Sequence, residues 1–318
     1  MADQSKVLEH YPATADFKVN DLIRTRGDVL CYRSNLQRSS FSTDERGFRH
    51  STLQGKTMSV VDCLQSDRYG IVLGASNIFA SGVAGNENCM ASRLADRFGF
   101  PFINAAMPGG NSRNLNALLF GLVAGAAKRP AAVVLSNGGD LANFCESGMA
   151  DPIFGSPNRL QVRVHREAGI TADADLHLPA LLAFTSMWTT ATARRCQRYK
   201  APLVMVHQST FFEKAKPSPI ERKCALGEPA NERQAPVFDR FKKYNAAFFA
   251  KRKEIAERLK VPLAGLGLAD RLDFIDEFHC TRESIDLLSQ SVGDEIEKLL
   301  GSAGPEPKKP SKTKKKSA

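Results

Sequence analysis

Ser76, in the segment Gly74-Ala75-Ser76-Asn77, stands just after the apolar run Tyr69 to Leu73. A hydroxyl where a strand gives way to a helix meets unpaired backbone N–H groups, which can stabilise an anion. Such a serine can act as a nucleophile, as a polar turn residue or as a contact for a phosphate. Two glycine-rich segments follow further apolar runs: Asn104 to Ser112 (NAAMPGGNS) and Ser136 to Asp140 (SNGGD). Paired glycines let the backbone approach a ligand closely and aim an amide at it. Gly109 is therefore a candidate donor, and the Asn137 side chain could supply another to the same spot. Tight turns alone would use the same residues. The fourth segment is Asp276-Glu277-Phe278-His279-Cys280-Thr281. An acid three residues before a histidine, across a turn entering a helix, can reach the imidazole Nδ1–H. That fixes the tautomer and leaves Nε2 free to take a proton from a serine. Taken alone, the same histidine could simply cap or solvate a helix start.

Taken together, the four segments supply a nucleophile (Ser76), a base (His279), an orienting acid (Asp276) and oxyanion donors (the amides of Ser76 and Gly109, and Asn137). The order is Ser, Asp, His, with acid and base sharing one short turn. No G-x-S-x-G elbow is present, which disfavours the α/β-hydrolase arrangement. The first strand leads into GASNIFASG, without the G-x-G-x-x-G spacing of a dinucleotide site, and no cofactor is expected. His10, His50, His165, His177 and His207 form no i, i+4 pair, and the seven cysteines no pair with metal-ligand spacing, so no metal is expected. The cysteines read as buried thiols.

Positioning these groups requires one sheet edge. Tyr69 to Leu73, Phe102 to Ala106, Ala131 to Leu135, Pro202 to Val206 and Val261 to Leu266 read as strands. Helical spacing appears over residues 88–98, 114–128, 237–260 and 282–300, the last with Thr281 as N-cap. Near-continuous apolar strands between helices predict an α/β fold with a mainly parallel sheet covered on both faces, a three-layer α/β/α sandwich. The domain spans residues 68–301, after an irregular N-terminal extension, 1–67, packed on the core. Two stretches, 151–179 and 208–234, interrupt the rhythm on the carboxyl side of predicted strands and are candidate walls or lids of a cleft. The Phe211-Phe212 pair reads either as an apolar wall for an acyl chain or as burial against the sheet.

Composition sets the outer limits. The chain has 318 residues, 25% of them charged and 42% hydrophobic, an ordinary globular balance that excludes wholesale disorder. No apolar run approaches the ~18 residues of a membrane span. No apolar stretch of signal-peptide type opens the sequence, so a cytoplasmic location is expected. The net charge is +10, and about half of the excess sits in the Lys-rich tail within residues 302–318. Such a tail reads as disordered and could contact nucleic acid or another anionic surface, or simply be solvated.

The four segments resemble the sequence blocks of the SGNH (GDSL-type) hydrolases. That family's first block, a strand followed by G-D-S or a G-G-S variant, is similar to Gly74-Ala75-Ser76 and implies the nucleophile role for Ser76. Its N-x-G-x-x-G block resembles Asn104 to Gly109, implying an oxyanion glycine at Gly109. Its D-x-x-H block matches Asp276 to His279. Pro202 to Gln208, Lys243-Tyr244-Asn245 and Gly47-Phe48-Arg49 are weaker likenesses, and the whole spans roughly residues 44–300. Two positions depart from the family. Ala75 replaces the acidic residue beside the serine, and Gly139 stands where the third block, G-x-N-D, has its oxyanion asparagine. Either Asn137, shifted by two, replaces that donor or the hole lacks one. The resemblance implies a flavodoxin-like sandwich and a carboxylic ester hydrolase or O-acyltransferase acting on a small-molecule or glycan ester. The alternative is a non-catalytic protein of the same fold that binds a carbohydrate or acyl ligand.

Overall fold

The computed structural model describes residues 4–24, 30–156, 168, 172–226 and 235–302. The Lys-rich tail beyond Ser302, His165 and parts of both interrupting stretches lie outside these residues. Five strands form one parallel sheet: β1 (Gly70–Gly74), β2 (Phe102–Ala106), β3 (Ala132–Leu135), β4 (Leu203–Val206) and the short β5 (Leu263–Ala264). Their order is β2-β1-β3-β4-β5. The chain lays β2 on one side of β1 and then crosses to place β3 on the other. In sheets of this order ligands bind outside the carboxyl ends at that crossover.

Alternate residues of each strand feed two apolar layers. Val72, Val134 and Val206 pack with α2 (Met90–Phe98) and α7 (Arg282–Ser302). Ile71, Leu73, Val133 and Leu135 face α3 (Ser112–Ala124) and the second half of α5 (Ala174–Tyr199). The result is a three-layer α/β/α sandwich. A third cluster joins α4 (Gly139–Ser147), the start of α5 and α6 (Ala235–Leu259). The helix α1 (Ser76–Phe79) is a single turn after β1.

Two boundaries differ from expectation. The first interrupting stretch ends sooner, because α5 starts at Ala174 behind an Asp173 N-cap and runs through Pro179. A proline near a helix start forfeits few backbone hydrogen bonds and is tolerated there. The N-terminal extension is also richer in regular structure than expected. Its hairpin Ser51–Leu53/Lys56–Met58 leads into a capped helix, Val60–Gln65. The hairpin docks on the sheet edge where Ser51 Oγ donates to the Phe102 carbonyl at 2.7 Å.

Arg49 is the strongest tie between that extension and the domain. Its side chain is 1% exposed. Nη1 donates to the carbonyls of Phe79 and Ala80 (3.0 and 2.8 Å), and Nη2 to those of Val83 and Gly85 (3.0 and 2.8 Å). The rings of Phe17, Phe41 and Phe79 surround the guanidinium at 5.6–5.7 Å. These bonds hold the exit of α1, where Ala80 sits at φ +65° in the left-handed region that non-glycine residues rarely occupy. Arg49→Met, which keeps the stem but strands four carbonyls, should lower stability by about 3 kcal/mol or more in urea unfolding. Arg49→Lys should recover only part, since an ammonium cannot span two pairs of acceptors. A wild-type midpoint in Arg49→Met would contradict this account.

Candidate active site

Ser76 opens α1, so its own N–H points out of the helix start with no intrahelical partner. Its Oγ lies 2.7 Å from His279 Nε2, across 203 positions of sequence. His279 Nδ1 lies 2.6 Å from Asp276 Oδ2. With its proton on Nδ1 donated to that carboxylate, the ring presents Nε2 as an acceptor for the Ser76 hydroxyl. The side chains of His279 and Asp276 remain 17% and 21% exposed, so the chain of groups reaches solvent.

The turn carrying acid and base is closed on itself. Ile275 N–H donates to the His279 carbonyl at 2.7 Å. Asp276 Oδ1 accepts from the N–H groups of Phe278 (3.0 Å) and His279 (2.8 Å). The Cys280 N–H donates to Asn77 Oδ1 at 3.2 Å, joining this turn directly to the residue after Ser76. Burial opposes ionisation of Asp276, but the His279 ring and these donors outweigh it and hold the carboxyl below the usual aspartate range.

A lysine locks the approach to that turn. Lys214 Nζ donates to both carboxylate oxygens of the buried Glu221 (2.8 and 3.0 Å), to the Leu272 carbonyl (2.6 Å) and to Asp273 (3.0 Å). Glu221 in turn accepts from the Phe274 N–H at 3.0 Å. The second interrupting stretch thus braces the acid–base turn, a role nothing in its local sequence announces. Phe211 donates its N–H to the Glu277 carbonyl at 3.0 Å and is buried. Phe212 stacks on Phe241, which stacks on Phe278 beside the His279 ring.

The donor side differs from expectation. Gly109 is exposed, in a turn between β2 and α3. Asn137, however, has no solvent-exposed surface, and its Nδ2 donates to Thr189 Oγ1 on α5 at 2.8 Å. A side chain enclosed in this way cannot offer a donor to an open site, which corrects the role expected of Asn137. Gly139 cannot supply one either. A Cβ there would lie 2.2 Å from the Gly110 carbonyl oxygen and 2.9 Å from Ala75 Cβ. The neighbouring Asp140, assigned no role from sequence, accepts from Ser112 N–H (2.7 Å), Ser112 Oγ (2.5 Å) and Thr185 Oγ1 (2.8 Å). Burial dominates over these bonds and pushes its carboxyl upward. It ties the starts of α3 and α4 to α5.

No protein-family model matches the sequence, and no curated protein matches it. Among solved structures the chain is similar to a carbohydrate acetylesterase family member from Sinorhizobium meliloti, with 12% identity, 74% of this chain and 99% of that one covered, and a TM-score of 0.46. It is also similar to a catalytic mutant of an acetylxylan esterase from Geobacillus stearothermophilus, with 12% identity, 73% and 94% covered, and a TM-score of 0.44. An SGNH-hydrolase family esterase shares 14% identity over 64% of this chain and 78% of that one, at a TM-score of 0.36.

The remaining candidates have other engagements. His207 pairs with Glu213 at 2.8 Å, His50 contacts Ser42 at 2.9 Å and His177 the Ala150 carbonyl at 3.1 Å. Among the described residues no group of three or more His, Cys, Asp or Glu could hold a metal ion, and no helix is long and apolar enough to cross a membrane. All seven cysteines are buried, and none is in a disulfide. A groove of about 990 Å³ between α5 and α6 includes none of Ser76, Asp276, His279 or Gly109 in its lining.

Glu277, between the acid and the base, offers a pH test. Burial first, and then the neighbouring Asp276 charge, push its carboxyl up to about 7. The folded state therefore holds this proton more tightly than the unfolded chain. The associated stability is fully present below the ordinary value of 4.5 and is lost as pH rises through about 7. The urea midpoint should fall between about pH 5 and pH 8, and Glu277→Gln should flatten that slope and be the more stable form at pH 8. An unaltered slope in the variant would count against this assignment.

Proposed function

We propose that the protein is a serine hydrolase of SGNH type that cleaves or transfers an ester-linked acyl group. The observation that carries this reading is the continuous hydrogen-bonded chain Ser76–His279–Asp276. In the proposed reaction Ser76 Oγ attacks the ester carbonyl while His279 Nε2 takes its proton. Asp276 keeps the ring oriented and stabilises the imidazolium that forms. The negative charge on the carbonyl oxygen falls to the backbone amides of Ser76 and Gly109. His279 then returns the proton to the leaving alcohol, and the bond from carbon to that alcohol breaks. Water, or the hydroxyl of a small-molecule or glycan acceptor, attacks the acyl-enzyme in the second half, again losing its proton to His279. Asp276, held below the usual aspartate range by the His279 ring and its backbone donors, is the ionised partner this step needs.

The site is built from the chain's own acid–base groups, and the reading calls on no cofactor. We place the protein in the cytoplasm, where the Lys-rich tail, outside the described residues, would contact anionic surfaces or nucleic acid. One observation favours a second reading, a protein that binds an acyl or carbohydrate ligand without turning it over. Gly139 and the enclosed Asn137 leave the third segment with no side-chain oxyanion donor, and losing one such donor typically costs about 10²–10³ in rate.

Two measurements separate the readings. Ser76→Ala and His279→Ala should each reduce turnover of a p-nitrophenyl ester by about 10³-fold or more with the fold intact, and Asp276→Asn should cost less than removing the serine. A fluorophosphonate should label the wild-type chain at Ser76 and leave Ser76→Ala unlabelled. Wild-type rates in either alanine variant would end the hydrolase reading, and an unlabelled wild type would favour the binding protein.

A further inference from the structure

The loop that carries Gly109 is a type II turn. Its closing bond runs from the Gly110 N–H to the Met107 carbonyl at 2.9 Å, with Pro108 in the second position. Gly109 is in the third, at φ +69°, where this turn requires a positive φ. The Gly109 N–H belongs to the middle peptide and takes no part in the closing bond. Its position relative to Ser76 therefore depends on what grips the turn from outside. At the base of the turn, the Gly110 carbonyl and Ala75 close so tightly on Gly139 that even a Cβ would collide. At the tip, Asn143 Nδ2 donates to the Gly109 carbonyl at 3.1 Å.

Gly139 and Asn143 are four residues apart on α4 and so share one helix face. Gly139 backs the turn while Asn143, one helical turn further along, reaches its tip. The face that lacks a side-chain donor at Gly139 thus carries an amide a turn later, already attached to the residue whose N–H is, in the proposed reaction, one of the two backbone donors. Donors to a developing oxyanion act only when held close to their final positions, and small displacements are costly.

We propose that Asn143 is a positioning residue that holds Gly109 in place as an oxyanion donor, an inference that rests on the hydrolase reading above. Asn143 touches Gly109 rather than the substrate, so its loss moves kcat and not KM.

The test uses the full chain and a p-nitrophenyl ester. Asn143→Ala should lower kcat about tenfold, with KM within about twofold and an unchanged Tm, a part of the cost of deleting a donor outright. Asn143→Asp removes the donor and sets a carboxylate against the Gly109 carbonyl, so it should lose at least as much. Asn143→Gln keeps the amide and should recover part of the rate. The rate of fluorophosphonate labelling at Ser76 should fall in parallel, because phosphonylation develops charge on an oxygen in the same place. An unchanged kcat in Asn143→Ala, an effect confined to KM, or labelling as fast as in the wild type would overturn the proposal. A wild-type chain that fails to label at all would instead remove the hydrolase reading, and the proposal with it.

Discussion

The contact between Ser76 Oγ and His279 Nε2 is the constraint on which the rest of the molecule depends, because it must be held between two chain segments that meet only in the finished fold. One end is fixed by the middle of the sheet. β1 has a neighbour on each side and is buried throughout, so the turn at its carboxyl end has little freedom. The other end lies in a loop with only an isolated bridge, Phe274 to Cys280, for regular structure. That loop is held by its own carboxylate, by the Asn77 side chain and by the Lys214–Glu221 pair. Fixing a loop costs about 1–2 kcal/mol of backbone entropy per residue, and several charge-assisted bonds are what offset it here.

Buried charge is used repeatedly for this kind of fixing. Arg49 grips the exit of α1, Lys214 the approach to the acid, and Asp140 the starts of α3 and α4. Arg49 and Lys214 bring a full charge out of water, and burial works against the charge on Asp140. Such burial is tolerable only where hydrogen bonds replace the lost hydration. Arg49 has four carbonyls, and Asp140 has three donated bonds. Such sites contribute less to net stability than their bond counts suggest, but they admit few alternative geometries. That property matters most beside a group that must stay within hydrogen-bonding distance of another.

Much of this architecture was legible in the sequence, and the reason differs from part to part. The runs Phe102 to Ala106 and Ala131 to Leu135 stand out because strands buried on both faces are near-continuously apolar, with Asn104 the exception in these two. The start of α5 was hidden, because Pro179 and the acidic residues before it resemble loop chemistry when read locally. The destination of Asn137 was beyond reach for another reason: it depends on Thr189, more than fifty positions away on a helix whose packing angle no local pattern encodes. Lys214 and Glu221 share that difficulty. Seven residues apart in a polar stretch, they read as ordinary solvated charges until the loop before Asp276 closes over them. Residues near in sequence whose geometry is set by one turn, such as Asp276 and His279, can be paired on paper. Those whose pairing waits for tertiary contact cannot, unless, like Ser76 and His279, each falls at the same expected sheet edge.

The third segment shows how glycine at one position sets the demands on its neighbours. With glycine at 139, the Gly110 carbonyl and Ala75 approach closely enough that no side chain could stand there without moving the turn that carries Gly109. Asn137 and Asp140, on either side, are committed to α5 through Thr189 and Thr185, so the segment acts as a brace between layers. Its remaining contribution to chemistry is steric, since it sets how near the 107–110 turn comes to the start of α1. In the proposed reaction, stabilisation of the oxyanion then falls on backbone amides, whose directions follow from the fold and cost no side-chain rotamer entropy. A site of that kind needs its turns braced more firmly than one that can rely on a mobile side-chain amide. The density of fixed charges and capped turns around Ser76 is consistent with that need.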